Sequence, residues 1–101
     1  MASRLELQSL LEGLLGSRNV YFQPPESVKL KYPAIVYSRD SIVNDHADDG
    51  VYKQSLEYSI TVIDADPDSE LPMKISRLPM CRHDRHYRAD NLNHNVFTLY
   101  F

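Results

Sequence analysis

Three kinds of residue or pattern are scarce in this chain, and each scarcity excludes something. Cysteine occurs once, at Cys81, so no internal disulfide can form and nothing argues for a secreted, disulfide-stapled scaffold. Glycine occurs three times, too few and too scattered for a loop that cradles phosphate. No stretch approaches the roughly 18 apolar residues of a membrane-spanning helix. The N-terminal MASRLELQSLLEGLLGS is leucine-rich, but Glu6 and Glu12 interrupt it, which argues against a signal peptide. Basic excess is also missing: the net charge is -3, so general affinity for nucleic acid or membranes is not expected. At 101 residues the chain is expected to form one soluble, cytoplasmic domain spanning 1–101, with a single modest core.

What charge there is lies unevenly. Residues 40–70 hold nine acids and one base, Lys53, whereas residues 74–101 hold five bases and two acids. The two segments can pair within the fold, stay solvated, or pair between copies, acidic side to basic side.

Hydrophobic periodicity outlines the elements. Residues 3–16 read as a helix: Leu7, Leu10, Leu11, Leu14 and Leu15 fall within an arc of roughly 140°. Ser3 and Glu6 have the spacing of a capping box, and Gly16 is a plausible stop. NVYFQ (19–23) and YPAIVYS (32–38) read as strands, and RDSIVNDHADDG (39–50) as a long acidic loop. VYKQSLEYSITVID (51–64) alternates cleanly, with Tyr52, Leu56, Tyr58, Ile60 and Val62 on one face and polar residues on the other, wet face. At about 3.3 Å per residue it is long for so small a domain, so part of it is expected to project as a hairpin arm. Residues 64–79 carry a second helix, with acids crowding its first turn, an inward stripe of Leu71, Ile75 and Leu78, and Pro79 as its end. MCRHDRHYRAD (80–90) reads as a strand, LNH (92–94) as a turn and NVFTLYF (95–101) as a last strand. The expected class is α+β in the order α-β-β-β-α-β-β, with a mainly antiparallel sheet.

MCRHDRHYRADN (80–91) concentrates chemistry-bearing side chains: Cys81, His83, His86, Asp84, Asp90 and three arginines. A metal site needs about four converging ligands. Strand alternation puts Cys81, His83, Arg85 and Tyr87 on one face and Arg82, Asp84, His86 and Arg88 on the other, so the histidines are expected to point apart. A Cys81–His83 nucleophile pair has no glycine turn or third group beside it. Asp45, Asp48 and Asp49 lack the spacing of a calcium loop. No metal, cofactor or catalytic residue is therefore expected. Arg82, Arg85 and Arg88 with Tyr87 make a small basic-aromatic patch, suited to a protein interface or, less well in an acidic chain, to nucleic acid.

The strings VYFQPP, YPAIVYSRD, ITVIDADPDSELP, LPMC, DRHYRADNLNH and VFTLYF carry a resemblance over residues 19–101. The chain resembles the small tail-terminator or tail-completion proteins of long-tailed phages and prophages, often labelled minor capsid or tail proteins. VIDADPDSELP and DRHYRADNLNHNVFTLY are its most specific parts. The resemblance implies a non-enzymatic virion protein without cofactor, assembled in the bacterial cytoplasm. It implies helices packed on one face of the sheet and a long hairpin reaching a neighbour. It implies a ring, usually hexameric, that caps the head-proximal end of the tail tube and meets the head connector, with DNA passing through the lumen and no sequence-specific contact to it. Its partners are other copies of itself, the tail tube protein and a head-closure or connector protein. The expected contact sets Asp45, Asp48 or Asp49 of one copy near Arg82, Arg85 or Arg88 of the next. The alternatives are a head-closure (stopper) or connector-adaptor ring of the same neck, or a small nucleic-acid-binding or regulatory module.

Overall fold

The computed structural model describes residues 4–47 and 50–101, with main chain alone for 43–47 and 50–55. The elements follow the expected order: α1 (Arg4–Leu15), β1 (Val20–Phe22), β2 (Ala34–Ala47), β3 (Gly50–Asp64), α2 (Leu71–Ser76), β4 (Cys81–Ala89) and β5 (Leu92–Tyr100). The five strands form one mixed sheet in the order β1-β2-β3-β5-β4. Only β1–β2 is parallel; every other pairing is antiparallel.

Both helices cover one face of this sheet. Leu7 and Leu11 of α1 and Leu71 and Ile75 of α2 are buried against Tyr37 of β2, Leu56, Tyr58, Ile60 and Val62 of β3, and Phe97 and Leu99 of β5. Helix α1 ends where Gly16 takes a left-handed φ of 79° and donates its N–H to the Glu12 carbonyl. Leu10 of the expected stripe turns outward, while Leu14 and Leu15 pack at the core margin. Ser3, half of the expected capping box, lies outside the described residues. A polar clip fixes the helix to the sheet. Gln8 donates to the Val20 carbonyl and accepts from the Tyr37 hydroxyl, which also receives Arg4 at 3.4 Å. Burial pushes the Tyr37 phenol above its ordinary range.

Three expectations need correction. The acidic segment 39–47 is not a loop but the continuation of β2, paired with β3 as far as Ala47↔Gly50. Its polarity disguised it: main-chain ladder bonds need no apolar side chains. The second helix is short. The acids of 64–70 sit ahead of it in stacked turns, where Asp64 accepts the Asp66 amide and Asp66 the Asp68 amide. Residues 92–94 are strand; the turn is Asp90–Asn91, at φ 52° and 61°, the left-handed pair that closes a two-residue hairpin.

Beyond Leu56 and Phe101, which exchange main-chain bonds, β2 is the only strand that pairs with β3 among the described residues. The far ends of β2 and β3 are therefore a two-stranded arm, as expected from the length of β3. Fifteen residues span about 50 Å at 3.3 Å each, which accounts for the 50 Å long axis of a molecule only 26 and 22 Å across.

Candidate functional site

The chemistry-rich stretch is the edge strand β4. Its neighbour on one side is β5, and no strand among the described residues pairs with its other side. All its residues are exposed except Cys81, which is partly buried against the core. Burial, then the nearby Asp84 charge, raises the Cys81 thiol above its usual range, so it is held as a neutral packing group.

A β-bulge decides which side chains share a face. His83 pairs with Phe97 and Arg85 with Val96, leaving Asp84 as the extra residue. An inserted residue reverses the alternation after it. Through their partners, Cys81 (↔Leu99), His83 (↔Phe97), His86 (↔Asn95) and Arg88 (↔Asn93) share the helix-covered face. Arg82 (↔Thr98), Arg85 (↔Val96) and Tyr87 (↔His94) share the other. The expected separation of His83 and His86 is thus wrong, as is the grouping of Arg88 with Arg82. The two histidines flank Asn95, and His83 lies 3.1 Å from its side-chain oxygen and edge-on to Phe97. Among the described residues, no three Cys, His, Asp or Glu side chains gather as metal ligands.

The bulged Asp84 turns to the second face. It accepts the Thr98 hydroxyl at 2.5 Å and pairs with Arg82 at 2.9 Å. The Thr98 bond first, and then Arg82, hold its carboxyl below the usual carboxylate range. Thr98, buried and polar, is satisfied this way. Arg85 lies over the Tyr87 ring at 5.3 Å, and Tyr87 stacks on His94 with centroids 4.7 Å apart. This ladder borders a groove of about 360 Å³, floored by Val36, Thr61 and Ile63 and walled by Pro24, Val28 and Leu30. The second sheet face, expected to be wet, is therefore partly covered by the 24–30 segment.

The three arginines thus play three parts. Arg82 has an ion partner in its own chain, Arg85 rests on an aromatic ring, and Arg88 projects from the opposite face. Of the acids expected to meet them, Asp45 stands in β2 opposite Lys53, and Asp48 and Asp49 lie outside the described residues. Within one chain Asp45 is far from Arg82. From β2 to β4 are three strand spacings, and the Lys53 level lies six residues along β3 from the Ser59 level of Arg82, so Asp45 and Arg82 are roughly 25 Å apart. Asp45 therefore does not pair with Arg82 inside one subunit.

Two residues beside this surface escaped sequence reasoning. Ile42, at the base of the arm, is 55% exposed although it shares the core-side face with Leu56. The Tyr58 hydroxyl is buried without a hydrogen-bond partner. An apolar residue in a polar segment was the available signal for Ile42; none marks Tyr58.

No protein-family model matches the chain, and no curated protein matches it.

Proposed function

We propose that this protein is a non-enzymatic structural component of a phage or prophage tail, a tail-terminator ring that caps the tube at its head-proximal end and meets the head connector. The reading begins from the resemblance of residues 19–101. The observation that supports it most is the placement of charge. Asp45 stands in the arm on β2, arginines line the edge strand β4 three strand spacings away, and Asp45 and Arg82 cannot meet within a subunit. Two different, complementary surfaces on opposite sides of one subunit are what a closed ring requires. The partners of the ring are then further copies of this chain, the tail tube protein and a connector or head-closure protein.

Inactivating the gene in its phage or prophage tests the reading. Loss of a terminator leaves tails of abnormal length beside filled heads. Normal tails beside leaking heads would assign the protein to the stopper layer instead, and unchanged virions would remove it from the neck.

A further inference from the structure

We infer that copies of this chain join by strand addition, the free edge of β4 in one copy pairing antiparallel with the free outer edge of β2 in the next. This names the contact within the ring reading above and rests on that reading only for ring closure.

Hydrogen-bond alternation identifies the free groups. Tyr100 donates to the Met80 carbonyl, so the next residue of β4, Cys81, turns its main-chain groups away from β5. Its amide is taken by the Leu78 carbonyl. Two residues on, His83 is also turned outward. From the other end, the two-residue hairpin closes on the Ala89–Leu92 pair, which turns Arg88 and His86 outward. The main-chain groups of His83, His86 and Arg88 therefore line an open edge, with no proline in the strand to blunt it.

The far part of β2 also has outward-facing groups. Leu56 exchanges both main-chain bonds with Phe101, so its partner Ile42 turns its own groups away from β3. Lower down, the outer edge of β2 is closed. Val20–Phe22 pairs with Ile35–Tyr37, and the Gln23 side chain accepts the Arg39 amide. From Ile42 toward Ala47 no described residue covers it.

Charge selects the partner. Two β4 edges brought together would set one arginine row against another, which is unfavourable across a strand pair. Residues 40–49 carry four acids and no lysine or arginine, so the β2 edge is the complementary one. Direction agrees as well. β2 runs with β5 and against β4, so a copy placed alongside in the same orientation offers β2 antiparallel to β4 and keeps the helices on one face. The contact also gives the two-stranded arm a third strand, and isolated two-stranded ribbons are marginal in water.

Two proline substitutions test this with the full chain. His86→Pro removes an outward amide from β4, and Ile42→Pro removes one from β2, neither touching an internal ladder bond. Sedimentation equilibrium over a wide concentration range should show the unaltered protein self-associating. Each variant alone should associate at least about tenfold more weakly, as for the loss of one or more backbone bonds. Mixing the two should restore a one-to-one pair, because each retains the edge that the other lacks. An Ile42→Pro protein that still pairs with itself would show β4–β4 contact and overturn the inference. So would unaltered protein that stays monomeric at every concentration, or a His86→Pro protein that associates normally. Should either variant unfold, amide exchange in the unaltered protein decides. Protection of His83, His86, Arg88 and Ile42 that rises with concentration supports the contact, and concentration-independent exchange refutes it. Altered virions combined with a failed pairing test would retain the neck reading and discard this contact.

Discussion

Strands β3 and β4 belong to the same sheet, yet they are held in opposite ways. Every second residue of β3 from Leu56 to Val62 is buried beneath the helices. In β4 only Cys81 reaches the core margin, and the strand is held by its ladder to β5, the His83–Phe97 contact and the Asp84–Thr98 bond. One strand is fixed by the hydrophobic effect and the other by main-chain and polar contacts. Burial gives β3 its stability, whereas the side chains of β4 beyond Cys81 stay exposed.

The largest expected effect lies on the buried side. Phe97→Ala removes a fully buried ring from the middle of the core and should cost about 3–5 kcal/mol, read as a lower denaturation midpoint. A loss under about 1 kcal/mol would mean that β5 contributes no more than β4 does.

The two buried tyrosines sharpen the comparison within the core. Tyr37→Phe breaks the link to Gln8 and Arg4 and should cost about 1 kcal/mol. Tyr58→Phe deletes a buried hydroxyl without a partner and should leave stability unchanged or raise it by about 1 kcal/mol. Equal losses from both would show that the Tyr58 hydroxyl is satisfied in solution.

On the exposed strand, the Asp84 contribution depends on pH. Its folded pKa is depressed, so its stabilisation is fully present above the ordinary aspartate value of about 3.9 and is lost as pH falls through the lower folded value. Asp84→Asn should therefore lower the melting temperature at neutral pH. The gap to the unaltered protein should close in strong acid; a gap constant with pH would assign the effect to shape alone.

The smallest effect is expected at His86, exposed and on the open edge. His86→Ala should change monomer stability by no more than about 0.5 kcal/mol in chemical denaturation. A larger loss would show that β4 depends on that side chain as well as on its ladder.

Much of the architecture was legible because periodicity reports burial. The leucine stripe of α1, the alternation of β3 and the stop at Gly16 each have a local cause. The candidate contact surface was less so. Asp84 could be seen as a charged residue in a strand, but nothing local says that it bulges. That bulge, set by pairing with β5, moved Arg88 away from Arg82 and brought His83 and His86 to one face. Residues 39–47 looked like a loop because a ribbon outside the core has no apolar face to betray it.

The amino-acid sequence by itself determined the order of the elements, the helix face that is buried, and the split of charge between residues 40–70 and 74–101. All of these follow from side-chain type and spacing along the chain. Tertiary structure alone decided that Asp45 and the arginines of β4 lie three strand spacings apart, with Asp45 out of reach of Arg82. It also decided which main-chain groups of β2 and β4 are left free. Strand order and register are non-local: they depend on which strands find each other, and a one-residue shift in pairing reassigns every side chain beyond it.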